Sequence, residues 1–485
     1  MHHTGRPAFI GRFFRWLLRR QTQSRVLVVL AVLATLVAAF YLEENWRGER
    51  AWENCKRELE AKGAVLDWDK YIPPPVPDDQ NFFKAPKMAD WFVKTRSSLT
   101  NELTQRMLNV DTVATNLNET AAAKYLAWSD QFEPDFDLIR EALKRPYARM
   151  DGDYAVPYEI PIPNFVASRS LAQVLAQRTK CQLLLGRPEQ ALHEVTLLND
   201  SRKWLEAAPT GKPMTLVAAM INVAITGLYV ETLRDGFRLN GWQEPQLAAI
   251  QEQLQKINTA PFVFEAFKEE QAHTVYLGEK AALRKDFRKV MTGELFGYGQ
   301  GKTFMQKLET HAYDLMPQGW VFQNVIVATK VHQRLIDTFD PTEKQVFPKK
   351  LEEAYLDVTT KLQHHSVFHL LADIAIPNYS KGFQIFACSQ TRFNQTQIAC
   401  ALERYRLAHG AYPETLDALM PQFIDKIPQD IIGGQPLHYR RTSDGKFLLY
   451  SIGWNEKDDG GIMAKDKSGN DDRTQGDWVW QYPVK

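Results

Sequence analysis

Cysteine is scarce. The 485-residue chain holds four, Cys55, Cys181, Cys388 and Cys400. Thiols this sparse make no disulfide framework, and no Cys-x-x-Cys pair offers a metal or redox site. Cys388 and Cys400 are predicted on one helix, where a twelve-residue separation spans roughly 18 Å, so they cannot pair with each other. Buried free thiols are the reading. Catalytic signatures are missing too: there is no G-x-S-x-G elbow, no Walker phosphate loop and no G-x-G-x-x-G fingerprint. An excess of positive charge is also missing. The net charge is +1, of which the leader's six arginines supply +6, leaving the remainder at −5. Nucleic-acid modules are usually basic, so that partner is not expected.

Long apolar runs are nearly absent, and the exception is the most informative segment. Arg6, Arg12, Arg15, Arg19, Arg20 and Arg25 precede Val26–Leu42, and Glu43 and Glu44 follow it. Basic before and acidic after orients a spanning helix with its N-terminus in the cytoplasm. Trp16 and Tyr41 suit the two interfaces. The rival reading is a cleaved signal peptide, with Val37-Ala38-Ala39 as the small-residue site before Phe40. Against it stand the long leader and the lack of a turn-forming residue before the cut. Arg19-Arg20 is not a twin-arginine signal, because Gln21-Thr22-Gln23 follows where apolar residues belong.

These patterns divide the chain into a cytoplasmic basic leader (1–25), a transmembrane anchor (26–42), a polar helix and Pro-rich strap (43–88), a helical ectodomain (89–371) and an α+β unit (372–485). The expected class is mostly α. Pro73-Pro74-Pro75-Val76-Pro77 forces an extended path, read as a spacer or as a strap laid over the next domain, with a ligand for another module as the alternative. Leu171, Val174, Leu175, Cys181, Leu184 and Leu185 fall on one helical stripe; Ala191, Leu192, Val195 and Leu198 form a second. Between them Gly186-Arg187-Pro188 breaks the helix, and the turn resembles that of a tetratricopeptide hairpin, without a second copy at that period. Leu216–Val230 is apolar but short and carries Asn222 and Thr226, so a buried helix is expected. Glu265 to Lys289 reads as a charged helix with a solvated face. Pro317-Gln318-Gly319-Trp320 marks a turn before a helix over Val321–Phe339.

The last quarter changes character. A long helix ends near Leu407-Ala408-His409-Gly410, followed by Ala411-Tyr412-Pro413-Glu414-Thr415-Leu416. Leu437–Thr442 and Lys446–Ile452 alternate around Ser443-Asp444-Gly445, a hairpin signal. With IAIPNY at 374–379, ALERYRLAHGAYPETLDAL at 401–419 and LLYSIGWNEKDDGG at 448–461, this order resembles the globular domain of the type II secretion pseudopilin and type IV pilin family. The resemblance covers about 90 residues. It implies a spine helix with a small antiparallel sheet on its C-terminal half. The family's leader-peptidase site and apolar spine are not found before Ile374, and Phe368–Asp373 is no membrane helix. A pseudopilin-like unit fused behind a helical ectodomain is therefore expected, not a processed fibre subunit.

The resemblance also implies calcium. Some major pseudopilins bind it in the loop matching Trp454–Gly461, where Asn455, Asp458 and Asp459 can supply oxygens. A solvated acidic loop is the plainer reading, and the spacing is not that of an EF-hand. His364, His365 and His369 are the densest histidine group, and His365 and His369 stand i, i+4. Ser366 occupies the position of a zinc protease's glutamate, so that chemistry is unsupported. No catalytic residue stands out. The expected role is structural or interacting: a single-pass protein of the bacterial inner membrane, its bulk periplasmic, with protein partners in a secretion or pilus-like assembly. The alternative is an exported hydrolase whose site, such as a carboxylate pair, is assembled from distant residues.

Overall fold

In a computed structural model, the chain is described over residues 20–94, 101–108, 118–154, 161–206, 208–209, 215–284, 315–340, 345–362 and 379–482. It is mostly helical, with small antiparallel sheets near the C-terminus. The main helices are α1 (Arg20–Ala61), α2 (Glu119–Ser129), α3 (Glu133–Ala142), α4 (Phe165–Leu184), α5 (Pro188–Asp200), α6 (Leu216–Arg238), α7 (Glu244–Lys256), α8 (Thr259–Leu283), α9 (Gln318–Ile336), α10 (Pro348–Leu362) and α11 (Tyr379–His409). The strands are β1 (Phe339–Asp340), β2 (Gln345–Val346), β3 (His438–Arg441), β4 (Phe447–Ser451), β5 (Met463–Lys465), β6 (Asp471–Gly476) and β7 (Trp478–Tyr482). Contacts divide the chain into two compact units. One is drawn from Met1–Gly63 and Leu277–Ala328, the other from Ala64–Tyr276, Thr329–His364 and Ile376–Lys485.

The first unit is organised by α1. The apolar run and the polar segment after it are one uninterrupted helix, not an anchor followed by a separate helix. No proline interrupts it, and it stops at Gly63, whose φ of 93° is the left-handed conformation that ends helices. Its polar half buries Trp52, Cys55 and Leu59, one face at helical spacing. The Trp52 indole donates to Glu279 Oε1 at 2.9 Å, and Lys56 pairs with the same oxygen at 3.0 Å. The helix expected over Val321–Phe339 begins earlier, at Gln318, and ends at Ile336. Gly48 and Gly319 allow α1 and α9 to touch backbone to backbone. A Cβ on Gly48 would lie 2.3 Å from the Gly319 Cα. By contrast, the apolar half of α1 has Leu27, Val28, Leu33 and Leu36 exposed.

The second unit holds the hairpin α4–α5. Asn164 caps α4 by accepting the Ala167 N–H at 3.2 Å. Gly186 takes a φ of 68° and donates to the Leu183 carbonyl at 3.0 Å, and Pro188 then starts α5. Helix α6, the second apolar stretch, lies mostly inside the core, with Ala219, Val230 and Leu233 buried. Within this unit α8 departs from the solvated face expected of it: Phe262, Val263, Ala266, Phe267, Ala272 and Val275 are buried. Its charges alternate with apolar residues at core spacing, which the count of charges alone hides. The Pro-rich segment is laid down on the unit. Arg149 donates to the Pro73 carbonyl at 3.1 Å, the Trp68 indole to the Tyr154 carbonyl at 3.0 Å, and the Phe82 N–H to the Tyr147 carbonyl at 2.7 Å.

Strands β3 and β4 form the expected Asp-Gly hairpin, with His438 opposite Tyr450 and Arg441 opposite Phe447. Gly445 supplies the positive φ of the turn. The sheet continues further than the hairpin: β7 pairs along the other edge of β4, and β5–β6 form a separate ribbon. One contiguous cluster of buried residues runs from α4–α7 through Ile398, Ala399, Cys400, Ala401 and Leu402 of α11 to Phe447, Leu449 and Trp480 of the sheet.

Candidate functional site

The loop after β4 is where Asn455, Asp458 and Asp459 lie. Trp454 pins its start, its indole donating to Glu352 Oε1 of α10 at 2.8 Å. Lys349 pairs with Glu456 at 3.0 Å. The three sequence-predicted residues come near one another, but their oxygens serve the loop itself. Asn455 Oδ1 accepts the Lys457 N–H at 3.1 Å, and its Nδ2 donates to Asp459 Oδ2 at 2.9 Å. Asp458 Oδ1 accepts the Gly460 N–H at 2.9 Å and the Tyr450 hydroxyl at 3.1 Å. The backbone N–H of Gly460 holds the Asp458 carboxyl below the usual range, helped by the Tyr450 hydroxyl and nearby His438 against the opposing effect of burial.

The residue that organises this loop is one that sequence reasoning missed. Asp477 is buried, and its two oxygens accept the N–H groups of Asp459 at 3.2 Å and Gly461 at 2.6 Å. Burial raises its pKa despite those bonds. Asn455 is thus turned to Asp459, and Asp458 and Asp477 to backbone donors, while a calcium ion would ask for six to eight oxygens. Among the described residues, no group of three or more His, Cys, Asp or Glu side chains is arranged to hold a metal ion. His364, His365 and His369 lie outside the described residues.

Two concave places among the described residues of the second unit bear on function. Arg234, Arg392 and Arg473 line a cavity of about 30 Å³ with Cys388, Gln395 and Trp478. That volume holds a water or two, not a substrate. The neighbouring thiol is a poor nucleophile, since burial pushes the Cys388 pKa up. The larger place is an open groove of about 540 Å³ among α6, α7 and α11, lined by Phe237, Trp242, Glu244, Glu403, Arg406 and Leu407. Its carboxylates are committed. Arg406 donates twice to Glu403 Oε2, at 3.0 and 2.8 Å, and the Tyr412 hydroxyl donates to Oε1. Arg404 donates twice to Glu244 Oε1, at 3.0 and 2.9 Å.

The most strongly buried charge cluster was also invisible in the sequence. Arg178 of α4 is 3% exposed and donates to Glu194 at 2.8 Å, Ser129 at 2.8 Å and Asp130 at 3.0 Å, and also to Glu133. It ties α2, α3, α4 and α5 together. The two ends of the hairpin contact are sixteen positions apart, and Ser129, Asp130 and Glu133 come from a different segment, so no local spacing marks them. No protein-family model, curated protein or solved structure matches this chain.

Proposed function

We propose that this is a membrane-anchored protein of the bacterial envelope with a structural or protein-interaction role. Its N-terminus is cytoplasmic, residues 26–42 cross the bilayer, and the bulk of the chain is periplasmic. The observation that carries the reading is α1. Its apolar half is fully exposed, while the same helix, without a break, packs Trp52 and Leu59 inside a folded unit. Apolar side chains exposed all around a helix need lipid or another chain to cover them. The continuity of α1 also supports an anchor over a cleaved leader, because Ala38 and Ala39 lie in mid-helix.

The C-terminal resemblance motivates the link to a secretion or pilus-like assembly. A helix with an antiparallel sheet packed on its C-terminal half supports it. Two measurements test the proposal on the full-length protein. Carbonate extraction followed by protease treatment of spheroplasts should leave the chain in the membrane, with only an N-terminal tag protected. A soluble chain beginning at Phe40 would sink the anchor. Pull-down from solubilised membranes should recover secretion or pilus components, and recovery of unrelated proteins alone removes the assembly link.

A further inference from the structure

The apolar run of α1 is short. From Val26 to Leu42 it rises about 25 Å, against roughly 30 Å of hydrocarbon. A short span draws flanking residues into the interface. At the outer end of this run the first unit supplies such residues from elsewhere in the chain. The Tyr41 hydroxyl donates to the Leu315 carbonyl. The Phe40 and Trp320 rings meet edge to face at 6.0 Å. The Gly319 N–H donates to Asn45 Oδ1 at 3.0 Å, and the Trp320 indole to Glu44 Oε2 at 2.7 Å. The approach is so close that a Cβ on Gly319 would stand 1.9 Å from the Glu44 carbonyl oxygen. Residues 315–320 are therefore fixed at the depth where α1 leaves its apolar stretch.

Their neighbours share one character. Leu315 is 70% exposed, Leu42 72% and Trp46 61%. Trp46 lies one turn beyond Leu42, about 6 Å, which is within the roughly 5–8 Å headgroup layer of one leaflet. The Arg50 guanidinium sits 5.3 Å from the Trp46 ring, a cation at the level of lipid phosphates. Of the two carboxylates at this depth, Glu44 is buried between Trp320 and Arg47, the latter at 2.6 Å, while Glu43 is exposed to the polar headgroup side. The headgroup layer is polar and hydrated, so an exposed carboxylate such as Glu43 is accommodated there as it would not be in the hydrocarbon.

We propose that Leu315, Trp320 and Trp46 form an interfacial collar that rests in the headgroup layer of the bilayer, beside the spanning helix. The partner is a lipid surface, and the inference rests on the anchor reading of 26–42. The collar lengthens the apolar belt at this end, with Trp46 on roughly the opposite face of α1 from Leu315 and Trp320, and fixes the first unit against the membrane.

The test uses the full-length protein in phosphatidylcholine vesicles. Single cysteines at Val32→Cys, Leu315→Cys and Ile462→Cys carry an environment-sensitive dye; the four native thiols are buried. Ile462, 68% exposed, lies outside the first unit and sets the baseline. The dye at 315 should emit to the blue of that at 462 and be quenched more by lipid carrying a nitroxide near its headgroup. Equal emission and quenching at 315 and 462, with Val32→Cys quenched by a deep nitroxide, overturns the collar and leaves the anchor standing. Absence of deep quenching at Val32→Cys overturns both.

Discussion

Asp430 shows how much one buried side chain can bias the fold. It is 3% exposed, and its Oδ1 accepts the Ile432 N–H at 3.0 Å. Burial pushes its pKa up to about 6, against the pull of hydrogen bonds from Ser451, Ile432 and Ile452 and of nearby His438. The folded state thus holds this proton more tightly than the unfolded chain, whose carboxyl titrates near 3.8. The resulting stability is complete below that value and is lost as pH rises through about 6. The contribution lost is about 3 kcal/mol. Asp430→Asn, which cannot titrate, should therefore gain that amount relative to the parent between the acid and neutral ends. Urea unfolding at pH 4 and pH 7 reads it, and a difference between the two proteins that is the same at both pH values refutes the assignment. Asp477 resembles Asp430 in burial and direction but serves the loop after β4, where its oxygens hold two backbone N–H groups.

At the scale of elements, the α4–α5 hairpin was legible because its signals are local. Gly186 and Pro188 punctuate it, and Leu171, Val174 and Leu175 share a face. What fastens it to α2 and α3 was not, since Arg178 finds its carboxylates through the tertiary fold. Removing one partner of such a buried pair leaves a bare charge, which costs about 3–5 kcal/mol. Arg178→Leu should lose that much stability in thermal unfolding, and Arg178→Leu with Glu194→Leu should recover most of it. Equal losses in both would show that packing, not charge, is at stake. The β3–β4 hairpin was likewise readable from Asp444-Gly445; of the core expected for this unit, Leu402, Phe447 and Leu449 are buried, whereas Tyr405 and Leu416 are only half-buried at its edge. Strand β7 went unread although Trp478-Val479-Trp480 is a short apolar run of strand-favouring residues, because the polar ribbon of β5–β6 separates it from its partner in sequence. Leu402 has no exposed surface, so Leu402→Ala should cost about 2–5 kcal/mol by chemical denaturation. A change near zero would mean that α11 is not wedged between helices and sheet.

That wedging decides whether the chain can build a fibre. In a pilus the spine helix packs against the spines of neighbouring subunits, and here α11 has little face left to offer. On one side Gln395 donates to the Trp478 carbonyl of β7 at 2.6 Å. On another, Gln397 donates to the Leu254 carbonyl of α7 at 3.0 Å, and Arg404 holds Glu244. Ile398 to Leu402 are five consecutive buried residues, more than a full turn, so the helix is covered all round at that point. Stacking it against another copy would first require stripping off either the sheet or helices α6 and α7, exposing side chains worth roughly 1.5–3 kcal/mol each. The residues just before Ile374, where an apolar spine would continue, lie outside those described. The full-length protein should form no filaments when overproduced, and any contact with a fibre should be lateral, through the sheet. Electron microscopy with gold-labelled antibody checks this: filaments labelled along their length would mean that α11 leaves its core, and the assembly reading would have to be rebuilt around an unpacked spine.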